Sequence, residues 1–257
     1  MPNLDLASVA TIAEEAARIA ADRCGTGYKT WEKVPGHPVC DVDLEVDSFL
    51  RERLFALDPE AGWLSEETLD LSDRYERRRI WVVDPIDGTR DYLRGRPGWA
   101  VSVALVEDRV PVMGVLAAPQ RGELWTAERG RGSWRNGERL QVSRRTELAG
   151  ARVPADQLPP EDRDLVPVAR PNSIALRIGL VAAGEADLVA TLRWGFEWDI
   201  AAAALIAREA GAAVTGALGQ PLAFNTASGE AFGVLASTPG IHAAAVERLR
   251  ERAMALV

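Results

Sequence analysis

Histidine is almost absent from this chain: His37 and His242 are the only two in 257 residues. A Ser-His-Asp triad, a His-rich zinc site or a phosphohistidine intermediate would have to rest on one of two isolated imidazoles, and both read as surface or loop residues. Cysteine is equally scarce. Cys24 and Cys40 lack metal-ligand spacing, which excludes a disulfide framework and points to a reducing compartment. The only lysines are Lys29 and Lys33. No run of 18 apolar residues exists, so no segment reads as a membrane-spanning helix. The N-terminus has no basic region followed by an apolar block, so no secretory signal is legible and a cytoplasmic location is expected. An excess of positive charge is also missing. The net charge of -8 argues against a nucleic-acid polymer or an anionic membrane as the main partner. It does not argue against a small phosphorylated metabolite, because bound metal ions reverse the local charge.

What is present is ordinary globular material, 47% apolar and 26% charged, long enough for one domain or two fused subdomains. Residues 4–22 and 43–57 carry helical apolar stripes, and the Gly- and Pro-containing link between them, 29–38, reads as a loop. From Ile80 to Val142 the period shifts toward two. Residues 99–106 and 110–116 flank Glu107, Asp108 and Arg109 as a hairpin, residues 123–126 read as a strand, and Asn136-Gly137 is a hairpin turn. This half reads as an antiparallel sheet. After about residue 150, helices at 173–183, 197–210 and 239–255 alternate with short strands at 186–191 and 232–236, the pattern of a layered α/β half. The boundary falls near Ser143–Gly150, giving subdomains 1–145 and 146–257. The Pro- and Asp-rich stretch 154–167 reads as an ordered loop or a short excursion.

The chemistry concentrates in acids at the edges of these elements. Asp84-Pro85-Ile86-Asp87-Gly88-Thr89 follows the apolar strand Ile80-Trp81-Val82-Val83. Two carboxylates leave the strand end three residues apart, Pro85 keeps Asp84 out of helical geometry, and Gly88 permits the turn into a helix start at Thr89. Hard divalent cations want clustered oxygen ligands, and a helix start offers N–H groups to an anion. Further acids are Glu66 and Glu67 in Ser65-Glu66-Glu67-Thr68, Glu197 and Asp199 opening the Ala-rich helix, and Asp41 and Asp43 opening the second helix. Each of these also has a plain reading as a loop or helix-capping acid.

Taken together, these segments resemble the inositol monophosphatase superfamily. Asp84-Pro-Ile-Asp-Gly-Thr89 is similar to its first signature, and Trp198-Asp199 through Gly211 to its second. Ser65-Glu66-Glu67 resembles its paired-glutamate motif, with Ser65 where Gly is common. Val39-Cys40-Asp41-Val42-Asp43 resembles the upstream motif, with Cys40 where Thr or Ser is usual. The resemblance implies a layered αβαβα sandwich of the sugar-phosphatase type, a homodimer, lithium sensitivity and two to three magnesium ions. It implies that Glu66, Asp84 and the Ile86 carbonyl hold one ion, that Asp84 bridges to a second completed by Asp87 and Asp199, and that Asp43 helps a third. Glu66 and Thr89 would orient and deprotonate the attacking water, and the Gly88 and Thr89 amides would hold the phosphate.

The substrate is less legible. Arg90-Asp91-Tyr92 after the first signature looks closer to the 3'(2'),5'-bisphosphate nucleotidase branch than to inositol phosphatases, as do Asn172-Ser173 and Arg193 ahead of the second signature. Arg90 or Arg193 could grip a second phosphate in bidentate fashion, and Asp91 or Glu197 could accept hydrogen bonds from substrate hydroxyls. The expected substrate is therefore 3'(2')-phosphoadenosine 5'-phosphate, ahead of inositol 1-phosphate, then histidinol phosphate or a sugar phosphate. An aspartyl-phosphate mechanism of the haloacid dehalogenase type is disfavoured, because the acids sit one residue too far apart and no lysine follows them. A non-catalytic binding member would have lost a metal acid, and none is missing. Trp63, Trp99, Trp125 and Trp134 read as core or seam residues rather than base-stacking platforms.

Overall fold

The computed structural model describes residues 4–25, 27–34, 37–68 and 74–257, with only the backbone at 33, 34, 37 and 38, so the His37 side chain lies outside the described residues. The first apolar stripe forms α1 (Leu6–Arg23), capped by Asp5, whose carboxylate accepts the Ser8 amide at 2.8 Å. The expected loop at 29–38 instead carries an antiparallel pair, β1 (Thr30–Val34) and β2 (His37–Cys40). The pair closes onto the start of α2 (Asp41–Leu57), where the Asp41 amide donates to the Lys29 carbonyl and the Lys29 amide to the Asp41 carboxylate, both at 3.1 Å.

Next come β3 (Gly62–Ser65), β4 (Arg79–Asp87), the short α3 (Thr89–Leu93), β5 (Ala100–Glu107), β6 (Val110–Ala118), β7 (Glu123–Glu128), β8 (Gly132–Arg135) and β9 (Glu138–Arg139). Strands β3 to β9 form one seven-stranded sheet in sequence order. It is antiparallel except at β3 and β4, which run parallel, so the wholly antiparallel expectation is corrected at that edge. The β5–β6 hairpin turns on Asp108 and Arg109, both at positive φ, and β8–β9 turns on Asn136-Gly137. Side chains alternate between two cores. Trp81, Val83, Val101 and Val103 pack toward α1 and α2, while Ile80, Val82, Ala104 and Val106 face the opposite way.

The second half contains β10 (Arg152–Pro154), β11 (Val166–Val168), α4 (Ile174–Ala182), β12 (Leu188–Phe196), α5 (Glu197–Glu209), β13 (Ala213–Thr215), β14 (Glu230–Ser237) and α6 (Pro239–Met254). The 154–167 stretch is an ordered excursion with a short 3-10 turn at Pro160–Asp162. A three-stranded antiparallel sheet runs in the order β12-β14-β13. Helices α4 and α5 lie between the two sheets, and α6 covers the far face of the smaller one. The layers are therefore αβαβα, as the resemblance implied. One hydrophobic cluster runs from Leu64 and Val82 through Ala201–Ala207 to Val234 and Ala236, joining the halves. Alanine along α5 lets its backbone press on the large sheet: a Cβ at Gly114 of β6 would stand 2.9 Å from the Ala202 carbonyl.

Candidate active site

The pairing of β4 with β5 slips between Asp84 and Asp87, and such an irregularity re-aims side chains. Asp84 folds back to accept the Ile86 amide at 2.9 Å. Gly88 takes φ +98° at the start of α3. A Cβ there would come within 2.7 Å of the Gly98 carbonyl and 2.9 Å of the Ser173 amide, so glycine is required on both counts. Asp199 enters from the first turn of α5, on the other side of the cleft. One oxygen each of Asp84, Asp87 and Asp199 lie within 4.8 Å of one another. Glu66, Ile86, Gly88 and Thr89 line the same cavity of about 600 Å³.

The neighbours of each acid differ. Asp87 accepts the Ser173 hydroxyl at 2.5 Å and the Ala175 amide at 2.8 Å, so it anchors the start of α4 as well as facing the cleft. Burial still holds its carboxyl above the usual range against those donors. The Asp84 carboxyl is pushed well above the usual range by burial and then by the carboxylates of Glu66, Asp87, Asp199 and Asp43. Asp199 is raised by burial, Asp87 and Glu66. Carboxylates crowded this way are stable as anions only with cations among them. The donor set is all oxygen, which suits a hard divalent ion and fits magnesium.

Glu66 continues β3, and its amide donates to the Val83 carbonyl at 3.3 Å, carrying it alongside Asp84. The loop beyond is gripped from α2: the buried Asp47 accepts the Ser65 hydroxyl on one oxygen and the Thr68 hydroxyl on the other. Asp43, one turn earlier on α2, caps that helix by accepting the Cys40 amide at 2.8 Å and the Cys40 thiol at 3.0 Å. The capping role is thus real, and Asp43 still acts on Asp84 electrostatically. Burial and Asp43 push the Cys40 thiol up to about 12, so it stays a neutral donor. The Thr89 hydroxyl donates to the Ile86 carbonyl at 3.1 Å.

The expected substrate contacts divide. Arg90 and Arg193 line the cavity. Asp91 does not. Its carboxylate accepts the Asn172 amide at 3.1 Å and faces an adjoining cavity shared with Arg94 and Arg96. Glu197 is also corrected: it is fully buried and accepts the Asn225 amide, the Thr226 amide and the Thr226 hydroxyl, fastening that loop rather than meeting a ligand. Arg170 and Arg177 line the cavity and escaped the sequence reading. The available signal for Arg177 was one cation inside the otherwise apolar 174–182 run. Burial, reinforced by the positive charges of Arg170 and Arg193, pushes the Arg177 guanidinium down to about 10. Trp63, Trp99 and Trp125 are core residues, as expected. His242 is not a loop residue. It bridges Ser237 at 2.8 Å and Thr215 at 3.1 Å from the first turn of α6.

The sequence profile of the inositol monophosphatase family matches residues 3–255. A histidinol-phosphatase from Mycobacterium tuberculosis is 37% identical over 194 residues, 69% of this chain and 74% of that one. A 3'(2'),5'-bisphosphate nucleotidase CysQ from Aggregatibacter actinomycetemcomitans is 32% identical over 203 residues, 73% of this chain and 75% of that one. Among solved structures, the extragenic suppressor protein suhB of Bartonella henselae superposes with a TM-score of 0.82 at 28% identity, covering 95% of this chain and 98% of that one. With signatures, fold and relatives in agreement, the chain belongs to the inositol monophosphatase family, whose members are phosphomonoesterases.

Proposed function

We propose that this phosphatase removes the 3'(2')-phosphate of a nucleoside bisphosphate, 3'(2')-phosphoadenosine 5'-phosphate being the substrate of choice. The observation that carries this is the arginines on the same cavity as the acids: Arg90 and Arg193, beside Arg170, which pairs with Asp156 at 2.5 Å, and Arg177, which donates to the Pro171 carbonyl at 2.8 Å and to the Asn172 carbonyl. A cavity lined by both carboxylates and arginines suits a substrate with two anionic groups: one phosphate goes to the cation-bearing acids, the other to the exposed Arg193 and its neighbours. Histidinol phosphate carries an ammonium in its leaving group, which these arginines repel. Inositol 1-phosphate has no second anion to offer them.

In this reading, Glu66, Asp84, Asp87, Asp199 and the Ile86 carbonyl would hold two magnesium ions, and Asp43 would help a third, weaker one. Bound magnesium supplies charge neutralisation and lowers the pKa of coordinated water. Glu66 accepts the proton of the attacking water, and the Thr89 hydroxyl, itself tethered to Ile86, orients it. The Gly88 and Thr89 amides hold the transferring phosphoryl group, where developing charge is stabilised most by fixed donors. A homodimeric state and lithium sensitivity belong to the same reading. The test is catalytic efficiency on 3'-phosphoadenosine 5'-phosphate, inositol 1-phosphate and histidinol phosphate with magnesium. A higher value for either single-phosphate ester overturns the assignment.

A further inference from the structure

Trp194 meets the fold edge-on at Phe232 and leaves about half of its surface in water. Its side chain is 54% exposed, whereas Trp63, Trp81, Trp99 and Trp125 are each below 2%. A tryptophan buries 150–250 Å² when the core takes it, so leaving one in water at a cavity wall forgoes a large stabilisation. The backbone actively presents it. The β12–β14 register slips between Thr191 and Trp194, the irregularity that turns a strand residue out of its alternating place. Phe232, 8% exposed, braces the indole from β14 at 5.5 Å between ring centroids and 62° between planes. The neighbouring Arg193 is exposed on the same cavity, and the stacked pair Phe196 and Trp198, 4.4 Å apart, continues the aromatic wall toward Asp199.

We infer that Trp194 is the stacking platform for a heteroaromatic base, so that this wall of the cavity is a base subsite. The inference rests on the phosphatase reading above and deepens it. Every base presents a π-face, and stacking on an indole needs no hydrogen-bond readout. The subsite therefore takes the purine of an adenosine bisphosphate without demanding adenine over guanine. It also separates the substrate class from polyol phosphates, which have no planar ring.

The test compares wild type, Trp194→Phe and Trp194→Ala on 3'-phosphoadenosine 5'-phosphate and on glycerol 2-phosphate, which has no base. For Trp194→Ala the ratio of the two efficiencies falls about tenfold, carried by KM, and Trp194→Phe restores most of it. Calorimetry with adenosine 5'-monophosphate shows the same weakening, and inorganic phosphate does not. Equal losses on both esters, or an unchanged ratio, overturn the inference. A wild type that hydrolyses neither ester rejects the phosphatase reading instead. Adenosine 5'-monophosphate binding then decides for Trp194 alone: unchanged affinity in Trp194→Ala sinks it, and weakened affinity upholds it.

Discussion

At the scale of single residues, the site separates acids that face the cleft from acids that hold the cleft together. Asp84 and Asp199 belong to the first group. Replacing either by Asn removes a negative charge from a crowded donor set. Each change should lower kcat/KM by at least about a hundredfold with magnesium. Steady-state hydrolysis checks this, and an Asp84→Asn enzyme with near-normal activity would refute its proposed bridging role. Asp47 belongs to the second group. Its two oxygens grip hydroxyls on both sides of Glu66-Glu67, so Asp47→Asn loses one strong acceptor and loosens the loop. The expected result is a several-fold higher magnesium concentration for half-maximal activity with the fold intact, read from metal titration and circular dichroism. These two groups could not be told apart in the sequence. Glu197 stands two residues from Asp199 and has the same charge, yet the helix turns it into the protein, where a loop 28 residues downstream consumes it. Arg177 was illegible for the converse reason: only the folded start of α4 brings it to the cavity.

At the scale of elements, most of the fold was written in local patterns. Residues 4–22 and 43–57 carried the 3.6 period, Asp108-Arg109 and Asn136-Gly137 marked their turns, and the Ala-rich run after Trp198 announced α5. Two features were not local. The parallel pairing of β3 with β4 depends on a partner across an intervening segment. The hairpin of β1 and β2 was masked by its Gly and Pro content and is held by Lys29 meeting Asp41. The Ala-for-bulk exchange between α5 and β6 makes a sharp prediction. Gly114→Ala drives a methyl to 2.9 Å from a helix carbonyl that cannot swing aside. Overpacking of this kind costs about 1–3 kcal/mol, so the thermal midpoint should drop by several degrees.

At the scale of the whole molecule, metal and proton each act on stability. Carboxylates this close repel one another, so magnesium binds the folded state far better than the unfolded chain. At a hundredfold excess over its dissociation constant, that linkage is worth about 2.7 kcal/mol. Chelation should therefore lower the melting temperature, and calorimetry with and without chelator measures it; an unchanged midpoint would argue against a cation among these acids. Burial pushes the His242 imidazole below its ordinary value of 6.5. The unfolded chain then takes the proton first. The neutral bridge to Ser237 and Thr215 contributes fully above the unfolded value and is lost as pH falls from there toward the folded one. The buried carboxyls of the cleft act in the opposite sense, so the test is a difference: the stability gap between wild type and His242→Gln in denaturant titrations should narrow as pH falls from about 7 to 5.

The helix that delivers Asp199 is the middle slice of the molecule, with sheet on either side and nearly every residue from Glu197 to Ala207 out of water. Such a segment has no private way to fray. Its amides should exchange with solvent only through global opening, among the slowest in the chain, and activity and tertiary structure should vanish along a single denaturation curve. Inactivation without unfolding would have to begin elsewhere, at the Glu66 loop, because the last acid to leave the cleft is the one tied to the centre of the fold.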